Sequence, residues 1–149
     1  MAPNELTLTF PVYTIQNPPY SGNLPVGYRC FLWYGHFEPQ VQSLNVRYFW
    51  TAGWNKAEIT DCNFLQGQSG FYSYSDLATA LVHWEFWKFQ IFDLDCIIAR
   101  IEMKGNIAIH EHGFRAEYAR VETVFYPRGE DRINYVDQAK FFGVPLEAY

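Results

Sequence analysis

The run from residue 96 to residue 126 constrains the fold more than any other feature of this chain. In its first part Ile97, Ala99, Ile101 and Met103 alternate with Ile98, Arg100, Glu102 and Lys104. That is the two-residue period of a strand with one buried face. Lys104-Gly105-Asn106 reads as a turn, Ile107 to His112 as a second strand, Gly113 as a second turn and Phe114 to Phe125 as a third strand. Three strands in series make an antiparallel meander. A sheet of this kind must bury a face, so the other elements have to cover it or extend it.

Six of the eight prolines (Pro3, Pro11, Pro18, Pro19, Pro25 and Pro39) fall in the first 39 residues, which excludes a long helix there. Leu6, Leu8 and Phe10 alternate with Thr7 and Thr9 as in a half-buried strand, and Asn17 to Asn23 reads as a loop. Gly27 to Tyr34 and Val46 to Trp50 are aromatic, apolar strands, the second ended by Thr51 to Asn55. A loop follows from Asp61 to Gly70. Ser75 is placed to cap a helix with Asp76 in its first turn, and Leu77, Ala80, Leu81 and Trp84 form one apolar face. A last helix is expected from Ile133 to Phe142, with Tyr135, Ala139 and Phe142 on one side, Gly143 just past its end and Pro145 stopping continuation. Together these predict an α+β fold, an antiparallel meander sheet of about six strands with two helices packed on one side. Residues 1–149 form a single domain, with 1–26 a Pro-rich strand-and-loop extension and 27–146 the core.

Composition narrows the function. Half the residues are hydrophobic (49%) against 18% charged, enough to bury a core. Rings make up 19% of the chain, more than a small core consumes, so some should line a pocket or a contact surface. A net charge of −5 argues against a bulk electrostatic grip on nucleic acid or anionic lipid. No apolar run reaches the ~20 residues that span a bilayer. The opening MAPNELTLTF has neither the basic end nor the apolar stretch of a signal peptide. A cytoplasmic protein is expected. Cys30, Cys62 and Cys96 are odd in number and widely spaced, which suits neither a disulfide framework nor a zinc knuckle. Cys96 opens an apolar run, as a buried, inert thiol would.

Phosphate-binding glycine loops, the nucleophile-elbow motif and the zincin motif are all missing. Gly67-Gln68-Ser69-Gly70 approaches a nucleophile elbow, with its second glycine one position early. Asp93 and Asp95 would share a face if extended, as some metal sites require, but read as the solvated edge of a strand. The densest polar cluster runs from Ile109 to Tyr118. In a strand, His110 and His112 would point to one face, half of a metal site that lacks a nameable third ligand. No metal and no cofactor are expected. Arg115 and Glu117 would share a face beyond the turn. This hairpin therefore offers either acid–base work by a histidine paired with Glu117, or a cross-strand polar ladder in which Arg115 pairs with an acid and sets register. Trp54, in a glycine-containing turn, is the ring expected to stand partly exposed.

Gly27-Tyr28-Arg29, Trp54-Asn55-Lys56-Ala57, Gly70-Phe71-Tyr72-Ser73-Tyr74, the stretch from Gly105 through Ala119, and Phe142-Gly143-Val144-Pro145 occur in that order. In this the chain resembles a group of small uncharacterised bacterial and phage proteins with a G-x-V-x-E-H-x-x-G-[YF]-R-A-E-x-A hairpin. The resemblance covers most of residues 27 to 146. Ser69 stands where a cysteine often precedes the Gly-Phe-Tyr segment in that pattern. The resemblance implies a single domain and draws attention to the hairpin, and it brings no activity with it.

The expectation is a non-enzymatic protein acting through protein–protein contact, of the size and charge of a phage or mobile-element accessory protein that blocks a host protein. The alternative is a small enzyme or ligand-binding domain at the hairpin. The residues expected to bind are His110, His112, Arg115, Glu117, Tyr118 and Trp54.

Overall fold

Residues 13–15, 24–34, 40–43, 48–58, 70–87 and 95–149 are described by the computed structural model. Within them nine strands form one sheet: β1 (Tyr13–Ile15), β2 (Val26–Tyr34), β3 (Gln40–Ser43), β4 (Phe49–Trp50), β5 (Asn55–Lys56), β6 (Phe71–Tyr74), β7 (Asp95–His110), β8 (Gly113–Tyr126) and β9 (Leu146–Ala148). Two α-helices accompany them, α1 (Leu77–Trp87) and α2 (Val136–Phe142), the second preceded by a 3-10 turn at Arg132–Tyr135. The fold is α+β, with an antiparallel sheet and both helices packed on it. Only β9, on β8, pairs in parallel among the described strands. The expected strand at Leu6 to Phe10, the loop at Asn17 to Asn23, Cys62, the Gly67 to Ser69 motif and Asp93 lie outside the described residues.

The 96–126 run forms two long strands rather than three shorter ones. Gly105 and Asn106 form a bulge inside β7: Lys104 stands opposite Tyr118 and Ile107 opposite Ala116, with two residues of one strand facing one of the other. Gly105 takes a φ of +78° there, a conformation that glycine adopts without strain. A glycine between alternating runs signals a bulge as readily as a turn, and here the ladder resumes beyond it. The hairpin turn falls at Glu111-His112, between the paired residues His110 and Gly113.

The strand order returns on itself. From β7 it runs through β8 and β6 to β2, and β2 also pairs with β7 from Val26↔Glu102 to Trp33↔Asp95. The inner face of this curled sheet holds the main core: Phe31, Trp33, Trp50, Phe71, Ile97, Ile101, Met103, Ile107 and Val124, with Ala139 and Phe142 from α2. Phe31, Trp50 and Phe71 pack ring against ring at centroid distances of 4.8 and 4.6 Å. Gly27 sits on this inner face where β2 meets β6; a Cβ there would lie 2.1 Å from Ser73 Oγ. The outer face carries Cys30, Ile98 and Phe125, covered by Leu77, Leu81 and Trp84 of α1. Both helices thus pack on the sheet, α1 over the Cys30–Ile98–Phe125 cluster and α2 through Ala139 and Phe142 on the main core. The near-continuous apolar run Ile97–Ile98–Ala99 is the sequence mark of a strand buried on both faces.

Local signals account for the helix ends. The cap of α1 is Asp76, not Ser75: Asp76 Oδ1 accepts from Thr79 N at 2.8 Å and from its hydroxyl at 2.9 Å. Ser75 instead donates its N–H to His112 O at 2.9 Å, tying the start of α1 to the hairpin turn. Asp131 caps the 3-10 turn through Ile133 N at 3.1 Å. Gly143 closes α2, its N–H donating to Lys140 O at 3.1 Å.

Candidate functional site

The hairpin that the sequence singles out divides in two. His110, the last residue of β7, is 5% exposed, and Arg115 is wholly buried. The Arg115 Nε–H donates to His110 Nε2 at 2.9 Å. A guanidinium can only donate, so that imidazole nitrogen accepts and carries no proton. Burial pushes Arg115 below its ordinary pKa, an effect that the cross-strand neighbour Tyr72 opposes. His112 sits in the turn instead, exposed beside Glu111. The two histidines therefore do not share a face, because the chain reverses between them. Among the described residues, the partner seen for Arg115 Nε is this imidazole. Glu117, opposite the bulge, accepts from Asn106 N and Nδ2 at 3.3 and 3.2 Å and meets neither histidine. Among the described residues no three His, Cys, Asp or Glu side chains converge on a metal position.

Trp54 and Tyr118 come together elsewhere. Downstream of the bulge, β8 pairs with β7 on one edge and with β5 on the other. Lys104 stands opposite Tyr118, Glu102 opposite Arg120 and Lys56 opposite Tyr118. Trp54 immediately precedes β5. Lys104 Nζ lies 4.2 Å from the Trp54 ring centroid and 5.5 Å from that of Tyr118. Arg120 lies 4.7 Å from Trp54, and Lys56 Nζ lies 5.6 Å from Tyr118. Contacts of this kind hold a cation in place without neutralising it. Arg120 donates to Glu102 at 2.9 Å, so one of the three cations is paired. Lys56 and Lys104 make no ion pair with any described residue. Lys56 is exposed, and Trp54, Lys104, Tyr118 and Arg120 are half-buried.

The neighbouring stretch of the same face is neutral. Arg100 grips Glu122 with two bonds, Nε to Oε2 at 2.7 Å and Nη2 to Oε1 at 2.9 Å. Hydrogen bonds from Arg100 hold the Glu122 carboxyl below its ordinary range. On the inner face Arg29 lies over Phe31 and Trp50 at 4.7 and 4.8 Å and donates to Tyr72 O at 3.1 Å. Its desolvation pushes the pKa down to about 10. Arg29 serves the core.

The site that the geometry assembles is the strip Trp54–Lys56–Lys104–Tyr118–Arg120. Its rings were legible; its three cations were not, because a net acidic composition hides a local basic cluster. Their i, i+2 positions beside Trp54 and Tyr118 were the available signal. Comparison with family models, with curated proteins and with solved structures finds no match.

Proposed function

We propose that this protein is a non-enzymatic binding protein that docks an acidic segment of a partner protein along the Trp54–Lys56–Lys104–Tyr118–Arg120 strip. The observation that carries this is the pair of lysines resting over Trp54 and Tyr118 without a carboxylate among the described residues. In a chain of net charge −5, two such ammonium groups side by side repel each other and gain from a partner's acids. Trp, Tyr and Arg are also the residues on which interface energy concentrates. The pairing of His110 with Arg115 supports this reading over a site at the hairpin, since both are occupied inside the fold. The role is that of an accessory protein of phage or mobile-element type that binds and blocks a host protein. Resemblance to the family sharing the hairpin motif belongs to this proposal.

The test is affinity capture from an extract of the native host, comparing the wild type with Lys56→Glu/Lys104→Glu. An acidic protein retained by the wild type and released by the variant, at equal melting temperature, is the expected result. Identical captured sets would refute the strip. Capture of single-stranded nucleic acid, which also uses rings and cations, would refute the protein partner.

A further inference from the structure

A cleft of about 510 Å³ lies on the outer face, where α1, the start of β7 and the end of β8 meet the 3-10 turn and α2. Small-molecule sites occupy ~300–1,000 Å³. Four rings line it: Trp84, Phe125, Tyr135 and Tyr149. Gln138 forms part of the wall and is 3% exposed, and its Oε1 has no hydrogen-bond donor among the described residues. A buried amide oxygen in that condition is uncommon and calls for a partner from outside the protein. Glu130 also lines the cleft, and no lining side chain among the described residues is cationic. Burial pushes the Tyr149 phenol up, with Glu130 and Glu85 contributing, so its hydroxyl stays protonated. Cys96, expected to be an inert buried thiol, is half-buried in the same wall.

We propose that this cleft binds a small aromatic amine, its ring lying among Trp84, Phe125 and Tyr149 and its ammonium directed to Gln138 and Glu130. Rotation of the Gln138 amide toward the ligand gives its oxygen the donor that no described residue supplies. The Glu130 carboxylate selects a positive charge over a negative one. A flat ring suits four aromatic walls better than a chain would. This site is separate from the cation strip and stands without it.

Isothermal titration calorimetry with phenethylamine, and with phenylacetate as its anionic counterpart, tests the assignment. Saturable binding of phenethylamine with at least tenfold preference over phenylacetate is expected. Gln138→Leu should weaken phenethylamine about tenfold while leaving the free protein's melting temperature unchanged or higher, because an unpartnered buried acceptor has been removed. Glu130→Gln, at an exposed position, should weaken it roughly twofold to fivefold, the scale of one partly screened charge contact. No binding to the wild type, equal affinity for phenylacetate, or affinity unaffected by the substitutions would overturn the proposal. Should Gln138→Leu fail to fold, Glu130→Gln decides alone.

Discussion

Arg115→Lys separates a structural hairpin from a functional one. Arg115 is fully buried, and its Nε donates at 2.9 Å to a histidine that is itself 5% exposed. A lysine has neither the planar fork nor the fixed reach of a guanidinium. It loses the bond to His110 and leaves that imidazole nitrogen without this donor. Bonds to charged groups contribute ~1.5–3 kcal/mol, and an unsatisfied buried acceptor costs ~1–3 kcal/mol. Deprotonation of the buried ammonium recovers part of this. A net loss of about 2–3 kcal/mol follows, or roughly 4–12 °C in melting temperature for a domain of this size. Differential scanning calorimetry at neutral pH measures the shift. Partner capture should fall only in step with the folded fraction. An unshifted melting curve alongside lost capture would refute the structural role and restore the hairpin as a binding site.

Gly27→Ala should destabilise strongly, by about 2–4 kcal/mol, because its Cβ would lie 2.6 Å from Ser73 Cβ as well as 2.1 Å from its hydroxyl; urea unfolding measures it. Leu81→Ala should cost about 1–2 kcal/mol, less than a fully buried leucine, since Leu81 packs only partly buried against the outer cluster. The Arg100–Glu122 pair should make stability pH-dependent. The folded carboxyl titrates below its unfolded value, so the contribution is full above that unfolded value and is lost as pH falls through the folded one. Denaturant unfolding of the wild type and Glu122→Gln from pH 7 to pH 3 should show a gap of about 1 kcal/mol that closes on acidification. A gap constant with pH would exclude this pair as its source.

Pattern on the scale of single elements was legible; pairing between distant ones was not. Periodicity located β2, α1 and the long 96–126 run, since alternation and helical spacing are local properties. It could not tell that Gly105 sits in a bulge, because both outcomes place a positive-φ glycine between two alternating stretches. That ambiguity moved the hairpin turn. His112 was therefore expected on the strand face with His110, whereas it occupies the turn. The return of β2 onto β7 is a contact across some seventy residues, and it decides which face each helix covers. Asp76 takes the cap from Ser75 because its carboxylate reaches Thr79 N, and Ser75 turns to the His112 carbonyl. Trp54 and Tyr118 could be singled out as rings, but their cations come from three different strands.

The central claim is that the strip around Trp54 is where the partner docks. Site-specific photocrosslinking in the native host tests it most directly, with a photoreactive phenylalanine placed at Lys56 on the strip or at Val82, which is 58% exposed on α1. The account predicts a discrete crosslinked adduct to an acidic protein from position 56 and none from position 82. Absence of any adduct from 56, or the same adduct from both positions, would contradict it.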